Sequence, residues 1–110
     1  MAIISTFNEI FNSHDVDALM DLFTDDCVFE NTAPFPDGTR YEGQPAVRAF
    51  WETFFAESPN AHFDAEDSFA AGDRCTVCWR YSWGDGHIRG VDVFRVRDGK
   101  VAEKLSYVKG

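Results

Sequence analysis

The stretch that decides the fold is Val77-Cys78-Trp79-Arg80-Tyr81-Ser82-Trp83, then Gly84-Asp85-Gly86, then Ile88-Arg89-Gly90-Val91-Asp92-Val93-Phe94. Large apolar residues take every second position before the glycines, which is the period of a strand with one buried face. Asp85-Gly86 is a strong two-residue hairpin signal. With that pair as the turn, Trp83 is predicted opposite Ile88, Tyr81 opposite Gly90, Trp79 opposite Asp92, and Val77 opposite Phe94. Directly opposed residues share a face. One face then carries Val77, Trp79, Tyr81, Trp83, Ile88 and Phe94 with a single acid, Asp92. The other carries Cys78, Arg80, Ser82, His87 and Arg89. The aromatic face is expected to be the inner one, with Gly90 leaving space beside Asp92.

Toward the C-terminus, Arg97-Asp98-Gly99 turns the chain into a last strand, Val101 to Val108. A three-residue loop would set Lys104 opposite Asp92. A two-residue turn of Asp98 and Gly99 would set Leu105 there and point Lys104 outward. Both registers stay open. On the N-terminal side, His62-Phe63-Asp64-Ala65-Glu66 alternates and Ala71-Gly72-Asp73 reads as a turn.

Before Asn60 the period becomes helical. Ile3, Ile4, Phe7, Ile10 and Phe11 recur at helical spacing, and Asn12-Ser13-His14-Asp15 breaks them. Asp15 or Asp17 is expected to cap a second helix with Val16, Leu19, Leu22 and Phe23 on its apolar face, ended by Asp25-Asp26. Cys27-Val28-Phe29 reads as a short strand, and Thr32 to Gly43, with two Pro and two Gly, as a loop. Pro45 suits the first turn of a third helix, whose apolar face is Val47, Phe50, Trp51, Phe54 and Phe55 and which Ser58-Pro59 stops. Helices first and meandering strands later predict an α+β fold, three N-terminal helices packed on a curved, mostly antiparallel sheet. The length suits one domain over residues 1–110.

Eleven Phe, with 3 Trp and 3 Tyr, are enough both to fill a core and to line a cavity. The net charge of −9 argues against a nucleic-acid or anionic-membrane partner, since both are met with Lys and Arg. No apolar run reaches the ~20 residues that span a bilayer. The segment from Met1 to Phe11 has no basic region of the kind that opens an export signal. A cytoplasmic location with reduced thiols is therefore expected for the 3 cysteines. Cys75 and Cys78 form a C-x-x-C, but positions three apart on a strand point to opposite faces, and neither a second such pair nor a spaced His pair accompanies them. No metal, no redox role and no cofactor is expected, since a Gly-rich phosphate loop is also lacking.

The inner-face acid is the feature with chemical content. Desolvation among aromatic rings would favour the neutral, proton-donating form of Asp92. The plainer reading is a structural carboxylate held by Lys104. His14 sits at a turn between helices and reads as an exposed loop residue. Glu30 would point away from Asn31 toward a rim. Arg80, His87 and Arg89 lie on the outer face. Trp51 and Phe54 either close a pocket or fill the core.

The chain resembles the SnoaL-like polyketide cyclases and ketosteroid isomerases of the nuclear-transport-factor-2-like superfamily. The residues that carry the resemblance are Asn12 to Leu19, Leu22 to Glu30, Tyr41-Glu42-Gly43 leading into Ala46 to Phe50, and Val91 to Val96 with Asp98 to Val101. Their order and spacing together are the signal. The resemblance implies a cone-shaped α+β barrel with a deep pocket, and homodimers formed through the outer sheet face. It places Asn31 where the isomerases have an aspartate general base, and Phe7 where they have a phenol donor. Asp92 stands where they have a protonated aspartate. Asn31 cannot abstract a carbon-bound proton and Phe7 has no hydroxyl, so a standard ketosteroid isomerase is not expected.

Two functions follow. One is a cofactor-free acid/base enzyme acting on a small, mostly apolar carbonyl compound. There Asp92 is the acid/base and Asn31 orients the substrate. Phe7, Phe29, Trp51, Phe54, Val77, Trp79, Tyr81, Phe94 and Lys104 line the pocket. The other is a non-catalytic ligand-binding or dimeric accessory domain in which Asp92 pairs with Lys104.

Overall fold

The computed structural model describes residues 2–109; Met1 and Gly110, the ends of the predicted 1–110 domain, lie outside them. Three helices precede most of the strands: α1 (Ala2–Ser13), α2 (Val16–Met20), β1 (Phe23–Glu30), β2 (Arg40–Glu42), α3 (Gln44–Glu57), β3 (His62–Ala71), β4 (Arg74–Ser82), β5 (His87–Arg97) and β6 (Lys100–Val108). The strands form one curved, unclosed sheet in the order β2-β1-β6-β5-β4-β3. Every pairing is antiparallel except β1 with β6. Among the described residues no helix is long and apolar enough to cross a membrane.

The helices lie on the sheet through stripes at helical spacing: Ile4, Phe7 and Phe11 from α1, and Val47, Trp51 and Phe55 from α3. Polar side chains fix their ends. Asp15 is the N-cap of α2, its carboxylate accepting from the Ala18 N–H at 3.1 Å. The Asn12 amide donates to Phe63 O and accepts from Phe63 N–H, each at 2.8 Å, which ties α1 to β3. Gln44 Nε2 donates to the carbonyls of Met20, Phe23 and Thr24 at 3.1–3.2 Å, tying α3 to the entry of β1.

Two boundaries differ from the sequence reading. The second helix ends at Met20, and Leu22 and Phe23 are not part of it. Their spacing matched a helix face, yet Phe23 pairs with Val101, and Leu22 O accepts from the Val101 N–H at 2.7 Å. β1 passes through Asp25 and Asp26 with its register shifted between Phe23 and Val28, which leaves both acids exposed. The segment from Thr32 to Gly43 also contains a strand, β2, because Tyr41 lies opposite Phe29 and stacks on it at 6.0 Å.

The β4–β5 hairpin closes through a longer loop than the predicted two-residue turn. Ser82 pairs with His87, so Trp83 to Gly86 form the connection. Trp83 leaves the sheet and packs over the turn, where a Cβ on Gly86 would come within 2.7 Å of its ring. Every pair is thereby shifted by two: Tyr81 meets Ile88, Trp79 meets Gly90, Val77 meets Asp92, and Cys75 meets Phe94. A shift of two preserves the face of each side chain. The space expected beside Asp92 is taken by the Trp79 ring, which lies against Gly90 so closely that a Cβ there would meet it at 2.6 Å. Cys75 is buried on the inner side, while Cys78 is half-buried on the outer.

The β5–β6 turn resolves the open register in a third way. Asp98 and Gly99, both with positive φ (54° and 74°), form a two-residue turn and Arg97 pairs with Lys100. That turn alone would point Lys104 outward. Val96 pairs with Val101 but Arg95 pairs with Glu103, so Ala102 is an extra residue on β6. This bulge inverts the alternation beyond it. Lys104 comes to lie opposite Phe94, and Ser106 opposite Asp92, all on the inner face.

Candidate functional site

Between the helices and the concave face of the sheet lies a cavity of about 320 Å³. That is within the range of small-molecule sites. Helix α1 contributes Phe11, α3 contributes Phe50, Trp51 and Phe54, and β1 contributes Phe29. Strands β3, β4 and β5 add Phe63, Trp79, Tyr81 and Ile88. The polar lining is Asn31, Thr32, Asp92, Lys104 and Ser106.

Asp92 and Lys104 are both buried, their side chains 2% and 7% exposed. Lys104 Nζ is 3.2 Å from Asp92 Oδ2 and donates to Ser106 Oγ at 2.9 Å. Ser106 Oγ donates in turn to Asp92 Oδ1 at 2.7 Å. Lys104 and Asp92 reach each other diagonally across the β5–β6 ladder, as residues two apart from direct opposition do. The ammonium also lies 4.7 Å from the Phe29 ring centroid and 5.5 Å from that of Trp51. Burial pushes the Lys104 amine below its ordinary value, and the neighbouring Asp92 carboxylate opposes that shift.

Asn31 directly follows β1 and lines the cavity. Its Oδ1 accepts from Ala33 N–H at 2.9 Å and Thr39 N–H at 3.3 Å, closing the loop that leads to β2. Those two bonds fix which amide atom is which. The Nδ2 group makes no hydrogen bond among the described residues. Gly38, with φ +76°, is held against this turn; a Cβ there would collide with Asn31 O.

Of the residues the sequence nominated, the cavity brings together Asp92, Asn31, Phe29, Trp51, Phe54, Trp79, Tyr81 and Lys104. Three are placed otherwise. Phe7, Val77 and Phe94 were expected on the cavity wall but sit in the closed core, each at most 1% exposed. Phe7 is wedged edge-on between Phe23 and Phe94 at 5.6 and 5.4 Å, so the first turns of α1 close the base of the cone and leave no space there. His14 is structural: its ring stacks on Phe55 at 4.6 Å and Nε2 is 2.9 Å from Ala61 O. Glu30 is 3.8 Å from Arg40 at the rim, and Arg89 pairs with Glu66 on the outer side at 2.7 Å. Sequence reasoning missed Ser106. Its signal was the two-residue spacing from Lys104, which carries information only once Lys104 is known to face inward.

Residues 4–104 match the family profile of the SnoaL-like domain. A nuclear-transport-factor-2-like protein of unknown function from Mesorhizobium loti is 45% identical, with a TM-score of 0.86 over 99% of this chain and 89% of that one. A candidate polyketide cyclase from Sinorhizobium meliloti is 21% identical, with a TM-score of 0.85 over 97% of this chain and 94% of its own. A candidate ketosteroid isomerase from Kribbella flavida is 19% identical, with a TM-score of 0.84 over 99% of this chain and 76% of its own. At those lower identities the likeness is one of fold. No curated protein matches.

Proposed function

The chain belongs to the SnoaL-like domain family, and from that premise we propose that its cavity binds a small, mostly apolar compound bearing a carbonyl oxygen. The observation that carries this reading is a buried Lys104–Asp92 pair in the wall of a mostly aromatic cavity. Burying two charges costs several kcal/mol per ion, and apolar residues of similar volume would serve the fold as well or better. A pair kept there facing open space suits a ligand. Several donors on the lining residues also lack a partner among the described residues. Among the described residues, Trp51 Nε1 and Trp79 Nε1 are buried without a partner, and Asn31 Nδ2 makes no hydrogen bond. A ligand oxygen would satisfy such donors.

In the catalytic form of this reading, Lys104 and Ser106 polarise the carbonyl, and Asp92 takes a proton from the adjacent carbon and returns it. No cofactor enters. A non-catalytic form is favoured by one observation: both oxygens of Asp92 are already engaged, Oδ1 by Ser106 and Oδ2 by Lys104. Cyclohexanone separates the two. In H₂O, binding should shift the indole N–H resonances of Trp51 and Trp79, and in D₂O, catalysis should exchange the ketone's α-protons faster than buffer does. Shifts without exchange would leave a binding protein. Unmoved indole signals at millimolar ketone, about the weakest affinity worth reading, would end the proposal.

The same reading takes the outer sheet face as a contact for a second copy of the chain. Phe69 and Tyr107 are 63% and 52% exposed on the side that also carries Val93 and Leu105. A patch of this kind suits an isologous interface. Sedimentation equilibrium should show a dimer, and a monomer throughout the micromolar range would remove this part.

A further inference from the structure

We propose that Lys104 is a covalent amine site, condensing through its ε-amino group with an aldehyde or ketone held in the aromatic cavity. This deepens the reading of the cavity as a carbonyl-binding site and rests on it. Three features of the geometry carry it. Lys104 is among the residues that line the cavity although its side chain is only 7% exposed, so a carbonyl bound there meets the amine away from bulk water. A proton acceptor is in place: Asp92 Oδ2 is 3.2 Å from Nζ. The rings of Phe29 and Trp51, 4.7 and 5.5 Å from Nζ, offer no competing hydrogen-bond acceptor oxygen. A lysine desolvated in an apolar pocket is a recognised way of making an amine nucleophilic at neutral pH. The direction of the Lys104 shift agrees, since burial favours the uncharged amine.

The step balances within the pair. The ammonium passes a proton to the Asp92 carboxylate, and the freed nitrogen lone pair bonds to the carbonyl carbon. The C=O π electrons move to oxygen, which takes that proton back from Asp92. The nitrogen of this adduct then gives a second proton to Asp92, which delivers it to the hydroxyl. The C–O bond breaks, water leaves, and the nitrogen lone pair closes the C=N bond. The product is a protonated imine beside a carboxylate, so charge is conserved and no oxidant or reductant takes part. Ser106, which accepts from Nζ and donates to Asp92, holds the two groups in register.

The chain has only three lysines, Lys100, Lys104 and Lys109, which makes the test clean. The wild-type protein is incubated at neutral pH with benzaldehyde or cyclohexanone and sodium cyanoborohydride, which reduces an imine to a stable amine. Proteolytic peptides are then mapped by mass spectrometry. Modification of Lys104 should exceed that of Lys100 and Lys109 by roughly tenfold or more, as expected for a desolvated amine against solvated ones. It should vanish in a folded Lys104→Arg variant while the other two sites are unchanged. Binding is followed in parallel through the Trp51 and Trp79 indole resonances. Indole shifts with no preference for Lys104 would overturn the amine site and leave the cavity reading standing. Neither shifts nor Lys104 adduct would overturn both.

Discussion

Asp92→Ala is expected to cost about 3–5 kcal/mol of folding stability, because it leaves a buried lysine without its counter-charge. Little of Lys104 reaches water to relieve this, with its side chain 7% exposed and aromatic rings around the ammonium. It would keep only Ser106 as a hydrogen-bond partner. Against a typical total of about 5–15 kcal/mol, that loss brings the domain near its unfolding limit. Removing both partners should be milder. Asp92→Leu combined with Lys104→Met exchanges the charges for apolar groups of similar size and should recover most of the loss. Urea unfolding of the two single variants and the double variant measures the coupling. If the double variant loses as much as the sum of the singles, the pair is not an energetic unit and the account of the site is wrong. Exposed pairs such as Arg40 with Glu42, 2.9 Å apart but half or more in solvent, should show no comparable coupling.

Phe7→Ala should be of similar size, about 3–5 kcal/mol, for a different reason. Phe7 is 1% exposed and meets Phe23 and Phe94 edge-on at 5.6 and 5.4 Å. Those neighbours belong to two different strands, β1 and β5, so they cannot collapse together into the space that the lost ring leaves. The variant also distinguishes the core position found here from the pocket position that family resemblance implied. A core residue predicts a large drop in urea midpoint with ligand binding little changed in the fraction that stays folded. A wall residue would give the reverse: a small stability loss and a clear change in binding. Phe54→Ala is the matching control, since Phe54 lines the cavity and is only partly buried.

Much of the fold was legible because it rests on periods. The stripes Ile4, Phe7, Phe11 and Val47, Trp51, Phe55 announce helices. The alternation of Val77, Trp79 and Tyr81 announces a strand with one buried face. Boundaries were less legible. Leu22 and Phe23 fit the helical spacing of Val16 and Leu19, and only the hydrogen bond from Val101 N–H to Leu22 O and the pairing of Phe23 with Val101 show where the helix stops. The strand at Arg40–Glu42 was hidden because its partner, β1, lies ten or more positions away and its neighbours are turn formers.

The sequence by itself determined that the chain is α+β, that the aromatic face of the late hairpin is the inner one, and that Asp92 lies on that face. Those conclusions survived a hairpin register two residues away from the predicted one, because strand side chains alternate with a period of two and a shift of two changes no face. The direction of Lys104 and Ser106 was decided only in the tertiary structure. The two-residue turn at Asp98-Gly99 would have sent Lys104 to the outside, and the bulge at Ala102 brought it back. One extra residue inverts every side chain beyond it, and whether a strand accepts such a residue depends on how it packs against both neighbours. Here those neighbours are β5 on one side and β1 on the other. The acid of the site was readable in the chain, whereas its cation was set by packing.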